Sequence, residues 1–177
     1  MSTLKELTAE VHAEAENQPF IKSVFAGNVN KDKYTSYVYQ LMNLYSLLET
    51  YGDEHFIFYG MEDLKRKKAA EMDWVELVGD SKWDHILNYS TVNYLNYLTT
   101  IKGDPKKLLA HIYVRHMGDL FGGQQLAKLI PGNGNMYKFE DIPLLIKTVR
   151  SKLDVSLADE AIIAFKHNIE IIKEYND

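Results

Sequence analysis

His12 and Glu16 stand four residues apart in Thr8-Ala-Glu-Val-His12-Ala-Glu-Ala-Glu16-Asn17, a spacing that puts both side chains on one face of a helix. A carboxylate at that position can take the imidazole Nδ1–H and aim Nε2 at a metal. Lys5 shares the face seven residues earlier, about 10 Å away along the axis. That separation suits a planar cofactor whose central metal meets His12 while an acidic edge group reaches the ammonium. The same spacing also describes an ordinary surface pair worth a few tenths of a kcal/mol.

Far downstream, three glycines sit inside an otherwise strong helical run, Tyr113-Val-Arg-His-Met-Gly118-Asp119-Leu-Phe-Gly122-Gly123-Gln124. Each weakens a helix by about 1 kcal/mol relative to alanine, so the cluster marks a backbone that bends or lies flat against something large. Together the two segments predict a slot with a metal ligand below and a glycine roof above. Arg115 and Asp119, four residues apart, are spaced to pair on the helix. Close helix crossing is the competing reason for small residues, but it leaves the acid in their midst unexplained.

Other chemistry lacks its parts. The chain has six histidines but no Glu-x-x-His pair of the kind that builds di-iron sites in helical bundles. His111 and His116 are five residues apart and share no helix face, which assigns them packing or surface roles. There is no Gly-x-Gly-x-x-Gly after a strand and no serine nucleophile elbow, so neither a flavin nor a nicotinamide site is expected. With no cysteine, disulfides, thiolate-ligated haem, cysteine-ligated iron–sulfur clusters and cysteine nucleophiles are excluded.

The elements that must position these residues are helical throughout. Thr3 and Glu6 form a capping-box pattern ahead of Leu4, Leu7, Val11 and Ala15, which predicts a first helix over 4–17 ending at Pro19. A second follows Asn30, with Tyr34, Val38, Leu41, Tyr45 and Leu48 on one side, and fades at Gly52. Further helices are predicted over 62–78, over a short piece at 81–88, and from Ser90 or Thr91 to Gly103. Asp104-Pro105 then opens the glycine-bearing helix, which stops at Pro131, and the last two cover 143–153 and 158–174. The expectation is one all-α domain spanning residues 1–177, since a chain of this size buries about 70% of its unfolded surface without staples. A net charge of −5 argues against nucleic acid as a partner. No stretch approaches a membrane span and no leader or hydrophobic tail is evident; a soluble, cytoplasmic monomer is expected.

Read jointly, the histidine and glycine motifs closely resemble the haem oxygenase family. The likeness extends to Ala110-His111-Ile-Tyr113-Val-Arg115, to Tyr45 and Glu49, and to Ala164-Phe165-Lys-His-Asn168-Ile169, covering most of the chain apart from 54–100. The resemblance implies haem b, both substrate and cofactor, held between a proximal and a kinked distal helix and opened by molecular oxygen to biliverdin, carbon monoxide and ferrous iron. His12 matches the proximal iron ligand, with Glu16 beside it and Phe165 among the haem contacts. Gly118, Gly122 and Gly123 match the distal backbone that lies against the ring. Asp119 matches the carboxylate that organises distal water, supported by Tyr45, Arg115 and Asn168. Lys5, Tyr113 and Arg150 fall where the family contacts the propionates. Glycine backbone plus a carboxylate acting through water lets a proton be delivered while oxygen is pressed toward the ring edge.

Two departures bear on which meso carbon is attacked. Phe121 stands where the family commonly has a small serine, and Ala9 where it often has a basic residue. Alpha selectivity is the expectation, with propionate clamping resting on Lys5, Arg150 and Lys147. Turnover implies an external reductant, a ferredoxin or flavodoxin, for which Lys65-Arg-Lys-Lys68 with Lys147, Arg150 and Lys152 is a candidate docking surface; the competing reading of the run is a solvated helix face. A non-catalytic haem carrier on the same scaffold would need no Asp119 network, and a thiamin-salvage enzyme of related architecture would need a cysteine.

Overall fold

Thr3 starts the first helix by the expected device: its hydroxyl accepts the Glu6 N–H at 3.2 Å, and Glu6 returns the bond to the Thr3 N–H at 2.8 Å. The helix does not run on to residue 17. Thr8 bonds its hydroxyl back to the Leu4 carbonyl at 3.0 Å and leaves helical geometry at φ −106°, ψ 3°, so α1 (Leu4–Leu7) and α2 (Ala9–Glu16) are separate pieces. Pro19 opens a helix rather than merely ending one. Its fixed φ and missing N–H suit a first helical position, and α3 covers Pro19–Phe25.

The computed structural model describes residues 1–177, all of it helix, turn and loop without a strand. α4 (Lys31–Glu54) is the central element, capped by Asn30, whose side chain accepts the Lys33 N–H at 3.0 Å. Tyr34, Val38, Leu41, Tyr45 and Leu48 form its buried stripe, as the periodicity predicts. Each such side chain contributes on the order of 1.5–3 kcal/mol of burial. The helix passes Gly52 without stopping, because the missing side chain there makes room for Phe58: a Cβ would sit 2.6 Å from its ring.

α5 (Lys67–Val78) begins later than the sequence predicts, with residues 62–64 forming a 3₁₀ turn. The break is made by Arg66, whose buried guanidinium bonds the carbonyls of Met136 and Lys138 at 3.1 and 2.8 Å and lies over the Phe139 ring. Residues 81–88 are not the short helix expected. Buried Gln40 takes over their backbone groups, accepting the Asn88 N–H at 2.9 Å and donating to the Ile86 carbonyl at 3.1 Å. α6 (Tyr89–Thr100), α7 (Pro105–Leu126), α8 (Ile142–Ser151) and α9 (Ala158–Lys173) complete the chain. Asp104 and Asp141 cap α7 and α8 through the N–H groups of Lys107 and Leu144, at 3.1 and 3.0 Å.

α4 packs on α5, α6 and α7, while α9 packs on α2, α6 and α7. The main core gathers around α4. A second, smaller core of Leu4, Ala110, Val114, Leu157, Ala161 and Ala164 joins α1, α7 and α9. Its alanines let α7 and α9 approach closely, which sets the reach of the polar groups described next.

Candidate functional site

Asp119 is buried on α7, 4% exposed. The Tyr45 hydroxyl, from α4, donates to its Oδ2, and the Arg115 guanidinium lies 3.6 Å from its Oδ1. Arg115 also reaches across to α9 and donates to Asn168 Oδ1 at 2.7 Å, while the Asn168 amide nitrogen is tied to the Ala164 carbonyl at 2.8 Å. Four residues from three helices thus form one network, as expected. Burial pushes the Asp119 carboxyl above its ordinary range, against the opposing pull of Arg115 and of the Tyr45 hydrogen bond. Burial likewise holds the Tyr45 phenol in its protonated, donating form. The Arg115 Nε is buried without a protein partner.

α7 runs unbroken through its glycines, none of which takes a positive φ. What the glycines provide is space. Gly118 and Gly122, one turn apart, are exposed, and a Cβ on either would meet nothing within 4 Å. They leave a bare strip of helix beside Asp119, with no side chain to hold a flat ring off the backbone. Gly123 does not belong to that strip. It is buried, and a Cβ there would fall 2.3 Å from the Tyr137 ring, so the lack of a side chain at Gly123 serves the packing of Tyr137 against the helix. Tyr137 is held in place by the buried Asp73, whose carboxylate accepts N–H groups of Asn135 and Met136 at 2.7 and 2.9 Å.

His12 lies on α2 with its side chain 54% exposed. Its ring stands 5.6 Å from that of Phe165, centroid to centroid, and so faces α9, the helix that also packs on α7. The expected hydrogen bond from Nδ1 to Glu16 is not formed: the ring instead turns Nε2 toward the carboxylate, 3.2 Å from Oε1. The carboxylate one turn on meets the outer ring nitrogen, and iron binding through Nε2 requires the ring to turn away, which its exposure permits. Lys5 is exposed and free of ion pairs. Tyr113 is half-buried between the two cores. Arg150 is exposed and stacks its guanidinium over the Phe121 ring at 5.3 Å, so Phe121 and Arg150 form a pair that the sequence did not announce. An exposed imidazole, a flat glycine strip, a buried acid and free cations fit a haem with its two propionates.

The basic run is divided by the fold, with Lys67 and Lys68 exposed. Arg66 is buried, Lys65 is paired with Asp53 at 2.7 Å, and Lys152 donates to the Ile57 and Tyr59 carbonyls. His111 and His116 are both fully buried, in packing positions rather than at the surface. His111 links Tyr94, at 2.6 Å, to Glu160, at 2.9 Å.

The Heme oxygenase family model matches residues 1–143. The chain belongs to the haem oxygenase family. Among curated haem oxygenases, that of Rhodella violacea is 32% identical, with 98% of this chain and 85% of the relative covered. Human "Heme oxygenase 1" is 30% identical, over 98% of this chain and 70% of the relative. Among solved structures, the haem oxygenase of Leptospira interrogans is 28% identical with a TM-score of 0.85, covering 97% of both chains. A haem oxygenase of the cyanobacterium Synechocystis, solved in complex with haem, is 27% identical with a TM-score of 0.86, over 97% of this chain and 89% of that one. The all-α architecture of this haem oxygenase is therefore that of its family, and catalytic haem degradation is the family's activity. No helix here is long and apolar enough to cross a membrane.

Proposed function

We propose that this haem oxygenase holds haem b between α2 and the C-terminal half of α7 and opens it to biliverdin, carbon monoxide and ferrous iron. One observation carries the reading: the buried Asp119, with its Tyr45 and Arg115 partners, lies directly beside the bare strip at Gly118 and Gly122. Haem supplies the iron that activates oxygen and the ring that is cleaved. His12 would be the residue that ligates the iron once its ring turns from Glu16, with Phe165 against the imidazole. Lys5 and Arg150 take the propionates, with Tyr113 and Lys147 alongside. Gly118 and Gly122 would let the helix backbone lie against the ring and keep side chains out of that space.

Asp119 is the proton-handling group. The Tyr45 O–H donates to Oδ2 and the Arg115 guanidinium stands 3.6 Å from Oδ1, and the buried carboxyl between them would hold a proton or pass one through water. Arg115 stabilises the carboxylate left behind, and Asn168 fixes Arg115 from α9. The Phe121–Arg150 pair and Lys5 would fix one orientation of the ring and so favour the alpha meso carbon. Electrons come from a separate ferredoxin or flavodoxin, molecular oxygen is the co-substrate, and the protein works as a cytoplasmic monomer. The test is titration of the purified protein with hemin, followed by reduction with ferredoxin or ascorbate in air and chromatography of the pigment. One equivalent bound and biliverdin alpha released is the expected outcome; bound haem returned intact would overturn the reading.

A further inference from the structure

Behind the Tyr45–Asp119 hydrogen bond lies a second rung between the same two helices. Glu49 stands one turn after Tyr45 on α4, and His116 one turn before Asp119 on α7. His116 is fully buried, and neither of its ring nitrogens has a hydrogen-bond partner in the protein. Its Nε2 is 3.8 Å from Glu49 Oε2, too far for a direct hydrogen bond but close enough for the carboxylate to act on the ring electrostatically. Its ring meets that of Tyr45 edge-on, with centroids 5.0 Å apart, and packs against Phe58 at 5.4 Å. Glu49, itself 6% exposed, accepts the first N–H of α5, that of Lys67, on both oxygens at 2.9 and 3.2 Å.

Filling space between Tyr45 and Phe58 needs only a phenyl ring. Burying an imidazole with both nitrogens unpaired is costly, so a purely space-filling role leaves the residue type unexplained. Asp119 feels the ring electrostatically, because His116 favours its ionised form. The charged and titratable groups around His116 are Tyr45 and Glu49 from α4 and Asp119 on its own helix, with Arg66 acting on the same carboxylate.

We propose that His116 is a positioning residue for haem cleavage, held beside Glu49 and acting on Asp119 through the Tyr45 phenol that it packs against. The inference rests on Asp119 being the distal acid, and its test has a part that needs no haem. In the haem-free full-length protein, the Asp119 carboxyl is followed by carbon NMR across pH in wild type, His116→Phe and His116→Gln. Loss of the ring nitrogens in His116→Phe is expected to raise the Asp119 midpoint by about 0.5 unit or more, and His116→Gln, which keeps polar atoms, to recover most of it. With haem bound, His116→Phe is expected to keep hemin affinity within about twofold while the rate of biliverdin formation falls about tenfold, and His116→Gln to restore it. Identical midpoints in all three proteins, or equal losses in Phe and Gln that track a lower melting temperature, overturn the proposal. Should His116→Phe fail to fold, Glu49→Gln leaves the ring in place and still offers an oxygen to the Lys67 N–H. It should move the nitrogen shifts of the His116 ring, and unmoved shifts overturn the link. If wild type itself makes no biliverdin, the reading of the reaction fails while the carboxyl titration still decides the His116–Asp119 coupling.

Discussion

Gly122 and Gly123 are neighbours in sequence and opposites in the fold: a Cβ on Gly122 meets nothing within 4 Å, whereas one on Gly123 falls 2.3 Å from the Tyr137 ring. A single helix position separates the strip that a ring can lie on from the seam that closes the core. The consequence is a pair of substitutions with opposite signs. Gly122→Ala, like Gly118→Ala, should raise stability by about 0.5–1 kcal/mol through helix propensity while weakening haem binding. Gly123→Ala should lower stability by about 1–3 kcal/mol through overpacking. Chemical denaturation and hemin titration of the three proteins check this; similar stability changes at 122 and 123 would contradict it.

Asp119→Ala should leave hemin binding within about threefold of wild type and reduce biliverdin formation by about 100-fold or more, the scale of a lost acid–base group. Oxygen chemistry then turns outward, so peroxidase-type oxidation of guaiacol should rise. Measuring both products in one preparation separates the two outcomes, and normal biliverdin formation by this variant would remove Asp119 from the mechanism.

Arg150 and Phe121 hold each other at 5.3 Å, on the side where a propionate is to be gripped. Arg150→Ala should therefore loosen the ring's orientation and yield a more mixed set of biliverdin isomers than wild type. Chromatographic separation of the isomers reads this directly; a single alpha product from the variant would place orientation elsewhere.

His111 supplies a pH prediction. Burial pushes its ring below the ordinary histidine value, so it stays neutral. Burial acts to raise Glu160, but the hydrogen bonds from His111 and Tyr97 outweigh it and hold the carboxyl low. With Glu160 charged, His111 Nε2–H donates to it and Nδ1 accepts the Tyr94 hydroxyl. A group whose folded value is depressed contributes stability above its unfolded value and loses it as the pH falls. Wild type should thus lose stability on acidification with a slope of up to about 1.4 kcal/mol per pH unit from this group. His111→Gln should flatten that limb in denaturation curves taken across the acid range; an unchanged limb would show that His111 does not set it.

Much of this molecule is legible in its letters, for physical reasons that differ by residue. Asn30, Asp104 and Asp141 cap helices with their own side chains, so local spacing suffices. The Tyr34 to Leu48 stripe is buried because its period matches the helix. Thr8 is less readable: a threonine can sit within a helix or bond back and break it, and here it does the latter. Residues 81–88 and Arg66 are shaped by partners far along the chain, Gln40 for the one and the Met136 and Lys138 carbonyls for the other. The site divides in the same way. Asp119, Arg115, Tyr45 and Asn168 come together as the family likeness implies, while the packing role of Gly123 depends on a loop that Asp73 ties down.

His12 is the proposed ligand of a haem lying against the bare strip of α7. The most direct measurement is the absorption and resonance Raman spectrum of the one-to-one hemin complex in wild type and His12→Ala. Wild type should show histidine-ligated iron; His12→Ala should lose that signature and regain it on adding free imidazole. A His12→Ala complex with the wild-type spectrum in the absence of imidazole would contradict it.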